Sequence, residues 1–169
     1  GIGFGGPIEA FTSDQVLSQL DLNIVGTMRV AKAVLPGKRE RKSGLIIQVS
    51  STAGRAAFPG FGVYNASKWG LEGLSEAMRY ELAPLGIDVV IVEPGPFSTN
   101  FLHNVEGAID GEVAQNYGHI GEFMQGFSTM VTGLYEDENA PTDPMIVMEM
   151  GNRRCRQAVP DIGVGRRQP

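Results

Sequence analysis

Apolar and polar positions along this chain follow two different periods, and the changes of period mark its elements. The first eleven residues hold four glycines and Pro7 and read as a loop. Thr12 and Gln15 then stand at capping-box spacing, with Phe11 and Val16 placed to form a hydrophobic staple. Val16, Leu20, Asn23, Thr27 and Val34 recur near helical spacing, which predicts a helix over 12–35, stopped by Pro36-Gly37. Lys38 to Ser43 reads as a charged, solvated connection. Leu45 to Ser50 is a short apolar run with little alternation, as in a strand covered on both faces. A loop of small residues leads to a second helix over 63–83, where Leu71, Leu74, Met78 and Leu82 share one face. Pro84 and Gly86 end it, and Ile87 to Val92 forms a second buried strand.

Strand, helix, strand in that order is a βαβ unit, so the fold class is α/β, with a parallel sheet and helices on its faces. Beyond Pro94 the pattern weakens. Residues 97–140 scatter Phe101, Phe123, Met124, Phe127, Met130, Leu134 and Tyr135 among glycines, and predict one or two short helices in a mobile excursion. Asp143-Pro144 caps a last helix through Met150, and Asn152 to Pro169 is arginine-rich and poorly patterned, as a frameshifted or artificial tail would be. No internal repeat and no second domain stand out.

Composition narrows the function classes. The chain has 169 residues, 42% hydrophobic and 20% charged, ordinary for one globular domain. A net charge of -5 argues against a nucleic-acid partner, because phosphate binding needs a basic face. The clustered Arg153, Arg154, Arg156, Arg166 and Arg167 read as a solvated tail. One cysteine, Cys155, rules out an internal disulfide and fits a cytoplasmic protein. No apolar run approaches the roughly 20 residues of a membrane span, and no metal site is expected. The opening glycine-rich stretch has neither a signal-peptide pattern nor an initiator methionine, and is expected to belong to a fragment or a processed product.

The candidate chemistry centres on Tyr64-Asn65-Ala66-Ser67-Lys68 at the start of the second helix. Residues four apart share a helix face, so Tyr64 and Lys68 can address one cleft. A free tyrosine titrates near pH 10. A cation nearby is expected to favour the phenolate and make it a usable acid/base. Ser50-Ser51 ends the first strand and Val92-Glu93-Pro94-Gly95 ends the second, and ligand sites in open parallel sheets lie beyond those carboxyl ends. Each cluster has a plainer alternative: a surface tyrosine beside a solvated lysine, a serine that caps a turn, a Pro-Gly turn.

Taken together, these residues resemble the single-domain branch of the short-chain dehydrogenase/reductase family, from Gly1 to about Phe101. Tyr64 and Lys68 match its Tyr-x-x-x-Lys, and Ser51, thirteen residues earlier, matches its catalytic serine. Asn23 matches the asparagine completing the tetrad, and Pro94-Gly95 with Thr99 matches its Pro-Gly-x-x-x-Thr. Gly1-Ile2 looks like the tail of Asn-Asn-Ala-Gly. The resemblance implies a Rossmann-like doubly wound parallel sheet and NAD or NADP as cofactor, with a small-molecule carbonyl or alcohol as substrate. Tyr64 would exchange the proton, Ser51 would bind the carbonyl oxygen, and Lys68 would tune Tyr64 and hold the nicotinamide ribose. Tyr64, Lys68, Pro94, Gly95 and Thr99 would contact the cofactor. Asn23, with a local helix distortion, would hold a water linking Lys68 to solvent; a core polar group satisfied by backbone is the plain alternative. Residues 1–101 would form the catalytic core segment, 102–140 a substrate lid and 141–169 a C-terminal helix and tail.

The family's Thr-Gly-x-x-x-Gly-x-Gly turn is absent from the 169 residues. The reading is therefore of a partial Rossmann-like sheet, lacking its first strands and Gly-rich cofactor turn, with one strand edge left unpaired. Family members associate through two long helices, here 12–35 and 63–83, which implies a homo-oligomer; Gly70 and Gly73 suit either that surface or packing within one chain. A catalytically silent α/β dimerisation/interaction module is the competing reading. Sugar-nucleotide epimerases share Tyr-x-x-x-Lys, but the short chain and Pro94-Gly95-Pro96-Phe97-Ser98-Thr99 argue against them.

Overall fold

The structure, a computed structural model, describes residues 2–158, with side chains through Gly151. Gly1 and the arginine side chains expected to form a solvated tail lie outside that description. The elements run β1 (Gly3–Gly5), α1 (Ser13–Leu20), a π-helical turn (Asp21–Val25), α2 (Gly26–Arg41), β2 (Gly44–Val49), α3 (Gly62–Leu82), β3 (Ile87–Val92), β4 (Val105–Gly107), α4 (Gly111–Gln115), α5 (Gly118–Glu136) and α6 (Met145–Ala158).

The βαβ unit is present. β2 and β3 pair in parallel from Gly44↔Ile87 to Val49↔Val92, joined by α3. Ile46, Ile87 and Val89 turn one face toward Ala31 of α2 and Met78 and Leu82 of α3, the main apolar core. Ile47 has the opposite side-chain parity and lies against Gly151 of α6, so helices cover both faces. The cover is incomplete: Val49 is 54% exposed, against the expectation of a strand buried on both sides. Among the described residues β2 pairs with β3 alone, leaving its other edge unpaired as expected.

The opening loop proves partly ordered. β1 is fully buried and runs parallel to β4 in a separate two-stranded sheet. The physical reason lies in the following helix, whose buried face differs from the one that hydropathy suggests. Gln15, Gln19 and Asn23, at i, i+4 and i+8, are buried, whereas Val34 is exposed. Gln19 Oε1 accepts Phe4 N–H at 2.9 Å, Asn23 exchanges two hydrogen bonds with Ile2, and Gln15 donates to Gly107 O at 3.1 Å. A polar ladder thus satisfies backbone groups that a glycine-rich strand would otherwise bury unpaired.

Thr12 and Gln15 do form the capping box. Pro36-Gly37, however, does not stop the helix. α2 continues to Arg41, with Lys38, Arg39 and Arg41 in its last turn favourably placed against the helix dipole. It ends at Lys42, whose φ of 52° is left-handed. The excursion after Thr99 is also more regular than its glycines suggest: α5 runs for 19 residues. Asp143 Oδ1 accepts Met145 N–H at 2.8 Å and starts α6, which extends past Met150 to Ala158.

Gly86, with φ of 73°, turns the chain from α3 into β3, and a Cβ there would collide with the carbonyl oxygen of Lys42. The two left-handed residues meet where β2 and β3 begin. Gly86→Ala is expected to cost about 2 kcal/mol, lowering Tm by about 2–4 °C for each kcal/mol, as read by calorimetry.

Candidate active site

Parallel strands deliver their carboxyl ends to one rim, and here the rim is tied shut by backbone. Ser50 N–H donates to Val92 O at 2.8 Å and Thr52 N–H to Pro94 O at 3.0 Å, fixing the two post-strand loops side by side. Asn65, just after Tyr64, binds the loop onto α3. Its Nδ2 donates to Ala53 O and Ala56 O at 2.9 and 2.8 Å, and its Oδ1 accepts Phe58 N–H at 3.2 Å. Sequence reasoning passed over Asn65, although an asparagine buried in a helix's first turn signals such a loop anchor.

A cavity of about 560 Å³ opens at this rim, lined by Ser51, Tyr64, Lys68, Pro94, Gly95 and Thr99 together. Thus every expected site residue except Asn23 meets in one space. Ser51 accepts Ala53 N–H at 3.1 Å, the plain capping role, and its hydroxyl stands near enough to the Tyr64 hydroxyl to favour the phenolate. Tyr64 packs against Phe101 at 5.1 Å between ring centroids. The Lys68 ammonium lies 5.7 Å from the Tyr64 ring centroid and donates to Val49 O at 3.1 Å.

Asn23 stands apart, in the π-helical turn and outside the cavity. Its Nδ2 donates to Ile2 O at 3.1 Å and to Ser67 Oγ at 3.0 Å, while Ser67 Oγ donates to Tyr64 O at 2.7 Å. Its side-chain amide is therefore engaged by neighbouring protein groups, and its link to the site runs through the backbone of Tyr64.

The electrostatics differ from the expectation that Lys68 would pull Tyr64 down. Burial pushes the Tyr64 phenol above its ordinary value of 10, with the nearby Ser51 hydroxyl opposing. Burial likewise pushes Lys68 below its ordinary 10.5, opposed by the carboxylate of Glu72 one turn on. Desolvation outweighs the pairing because neither charged form has a full set of partners in this cleft. Glu72 is a residue that sequence reasoning missed, though Tyr64, Lys68 and Glu72 repeat at four-residue intervals. Neither of its buried oxygens accepts a hydrogen bond, and the Arg55 guanidinium lies 3.4 Å from one. Arg55 also pairs with Glu93 at 2.8 Å, which ties the two loops a third time.

Of the stretch 102–140 expected to form a lid, Leu102, Phe127, Met130, Val131 and Tyr135 line the cavity, whereas Met124 packs in the core beside Phe61 and Tyr64 and Leu134 does neither. Gly70 faces Ile24 within the chain, while Gly73 has open space where a side chain would stand. The donor set fits the nicotinamide-ribose end of a dinucleotide. Lys68 spends one of its three N–H groups on Val49, and open space surrounds Gly95.

A family model described as short chain dehydrogenase matches residues 1–109. The chain is 42% identical over 125 residues to 3-ketodihydrosphingosine reductase of Bacteroides thetaiotaomicron, covering 74% of this chain and 46% of that protein. It thus spans about half the length of that curated relative. Among solved structures it is similar to a short-chain dehydrogenase from Streptomyces avermitilis, with a TM-score of 0.60 at 25% identity, over 92% of this chain and 64% of that one. A gluconate 5-dehydrogenase from Burkholderia cenocepacia, in complex with NADP and tartrate, matches with a TM-score of 0.58 at 31% identity, over 60% of this chain and 40% of that one. Sequence, fold and site geometry agree, and the chain belongs to the short-chain dehydrogenase/reductase family.

Proposed function

We propose that this chain carries the catalytic half of an NAD(P)-dependent oxidoreductase that interconverts a carbonyl and an alcohol. The observation that supports this is the convergence of Ser51, Tyr64, Lys68 and the Pro94-Gly95 turn on one cavity at the carboxyl ends of β2 and β3. NAD or NADP, when bound, supplies or accepts the hydride. Tyr64 Oη gives a proton to the carbonyl oxygen in reduction and takes it back in oxidation. Ser51 Oγ, held by Ala53 N–H, positions that oxygen and donates to the charge developing on it. Lys68 holds the ribose and stabilises the phenolate after proton transfer; Pro94, Gly95 and Thr99 border the nicotinamide. Asn23, through Ser67, fixes the backbone of Tyr64. Residues 1–101 serve as the catalytic core segment, 102–140 as the substrate lid and 141–169 as the closing helix and tail.

A second reading, a silent α/β dimerisation module, draws on the apolar surface of the same helices. Leu17, Val30 and Val34 on α1 and α2, with Trp69 and Tyr80 on α3, are exposed. Either role places a homo-oligomer contact there. Among the described residues no helix is long and apolar enough to cross a membrane, and a cytoplasmic location is part of the proposal.

The test is turnover of the whole protein with NADH and NADPH across pH. Tyr64 is held above 10, so it stays protonated through the neutral range. In reduction, kcat/KM is expected to stay level from about pH 6 to 9 and to fall only above 10. In oxidation it is expected to climb over the same span, because the phenolate is the reactive form. Cofactor binding by fluorescence without turnover at any pH would favour the silent module.

A further inference from the structure

The cavity is lined by two chemically distinct walls. One carries polar side chains from the loops after β2 and β3 and from α3, among them Ser51, Tyr64, Lys68 and Thr99. The other is built by α5 and α6, from Phe127, Met130, Val131, Tyr135 and Val147, and is apolar but for the Tyr135 hydroxyl. Phe127 anchors that wall, with its ring 5.6 Å from Phe61 and 6.1 Å from Phe58. Among the described residues Lys68 is the one charged side chain lining the cavity, and it belongs to the polar wall. The α5–α6 wall lies beyond residue 109, where the family-model match ends.

Resting on the oxidoreductase reading above, we propose that the substrate is an uncharged ketone or secondary alcohol carrying an extended apolar body, selected by the α5–α6 wall. A carboxylate or phosphate carried on the body would be desolvated against Phe127 and Val131, where the described residues of the wall offer no cation. A polyol would bury several hydroxyl groups against Phe127, Met130, Val131 and Val147, with the Tyr135 hydroxyl the one polar side-chain group that the described residues of this wall offer. An apolar body gains with each methylene it places there, by about fourfold in binding.

The experiment compares butan-2-one, octan-2-one and 7-oxooctanoate with the whole protein and NAD(P)H. kcat/KM is expected to rise roughly 250-fold from butan-2-one to octan-2-one, four methylenes longer, and 7-oxooctanoate is expected to fall back to about the butan-2-one level or below. Met130 is 55% exposed, so Met130→Arg places a cation on the α5–α6 wall without burying it. That variant is expected to raise 7-oxooctanoate at least tenfold and lower octan-2-one. Saturation-transfer NMR on the same three ligands reads the wall without catalysis. Octan-2-one binding with no turnover keeps the substrate assignment of the wall and sinks the redox reading. Turnover that favours 7-oxooctanoate, or is level across the three, overturns the assignment and leaves the redox reading standing.

Discussion

Replacing Tyr64 by phenylalanine is expected to lower kcat by about 10³-fold, within the range for losing a positioned general acid, while the fold survives. The ring keeps its place: Tyr64 is 8% exposed and sits in an aromatic cluster with Phe61, Phe101 and Phe127 that phenylalanine fills equally well. What disappears is one hydroxyl, close to Ser51 and held protonated by burial. Removing it relieves a desolvated polar group, so Tm is expected to change by no more than a few degrees. Cofactor affinity, read by NADPH fluorescence, is expected to weaken by less than tenfold, the scale of one hydrogen bond. The informative quantity is the ratio. If kcat and affinity fall by the same factor, Tyr64 holds the cofactor and another group moves the proton.

Much of the site was legible because its geometry is local. Tyr64 and Lys68 share a face of one helix, and Ser51 and Pro94-Gly95 end two adjacent parallel strands, so spacing and βαβ topology already bring them together. The buried face of α1 was not legible. Hydropathy ranks Gln15 and Gln19 as solvent-facing, yet their amides are buried because β1, three residues long and two of them glycine, has backbone groups to satisfy. That requirement appears only once β1 is paired with β4, about a hundred residues away. The continuation of α2 past Pro36 and the length of α5 were missed for a related reason. Propensity counts prolines and glycines against a helix, whereas Ile120, Met124, Phe127 and Val131 recur on one side of α5 and pack it down. The sign of the Tyr64 shift was misjudged because sequence shows that a cation is near but not how dry the site is.

That dryness carries the last expectation, that Lys68→Met removes activity and stabilises the fold together. Lys68 is 7% exposed and held below its ordinary pKa by burial, so the folded chain disfavours the proton that the unfolded chain readily binds. For a group depressed on folding, stability is full above the unfolded value of 10.5 and is lost as pH falls through the folded one. At pH 7 the wild-type chain therefore bears this penalty. Methionine matches the length of the stem and carries no charge. Two losses oppose the gain. Val49 O loses its donor, but Val49 is 54% exposed and water can replace it. Glu72 loses a nearby cation, but retains Arg55 at 3.4 Å. The net expectation is a higher Tm for Lys68→Met at pH 7, with the gap to wild type closing as pH approaches 10.5. Over the same range kcat/KM falls at least about 10²-fold, because no cation remains to stabilise the phenolate that forms when the proton leaves. A lower Tm at every pH would mean that Lys68 holds β2 against α3 more strongly than burial strains it. The lysine would then be structural first, and its place beside Tyr64 would not by itself argue for catalysis.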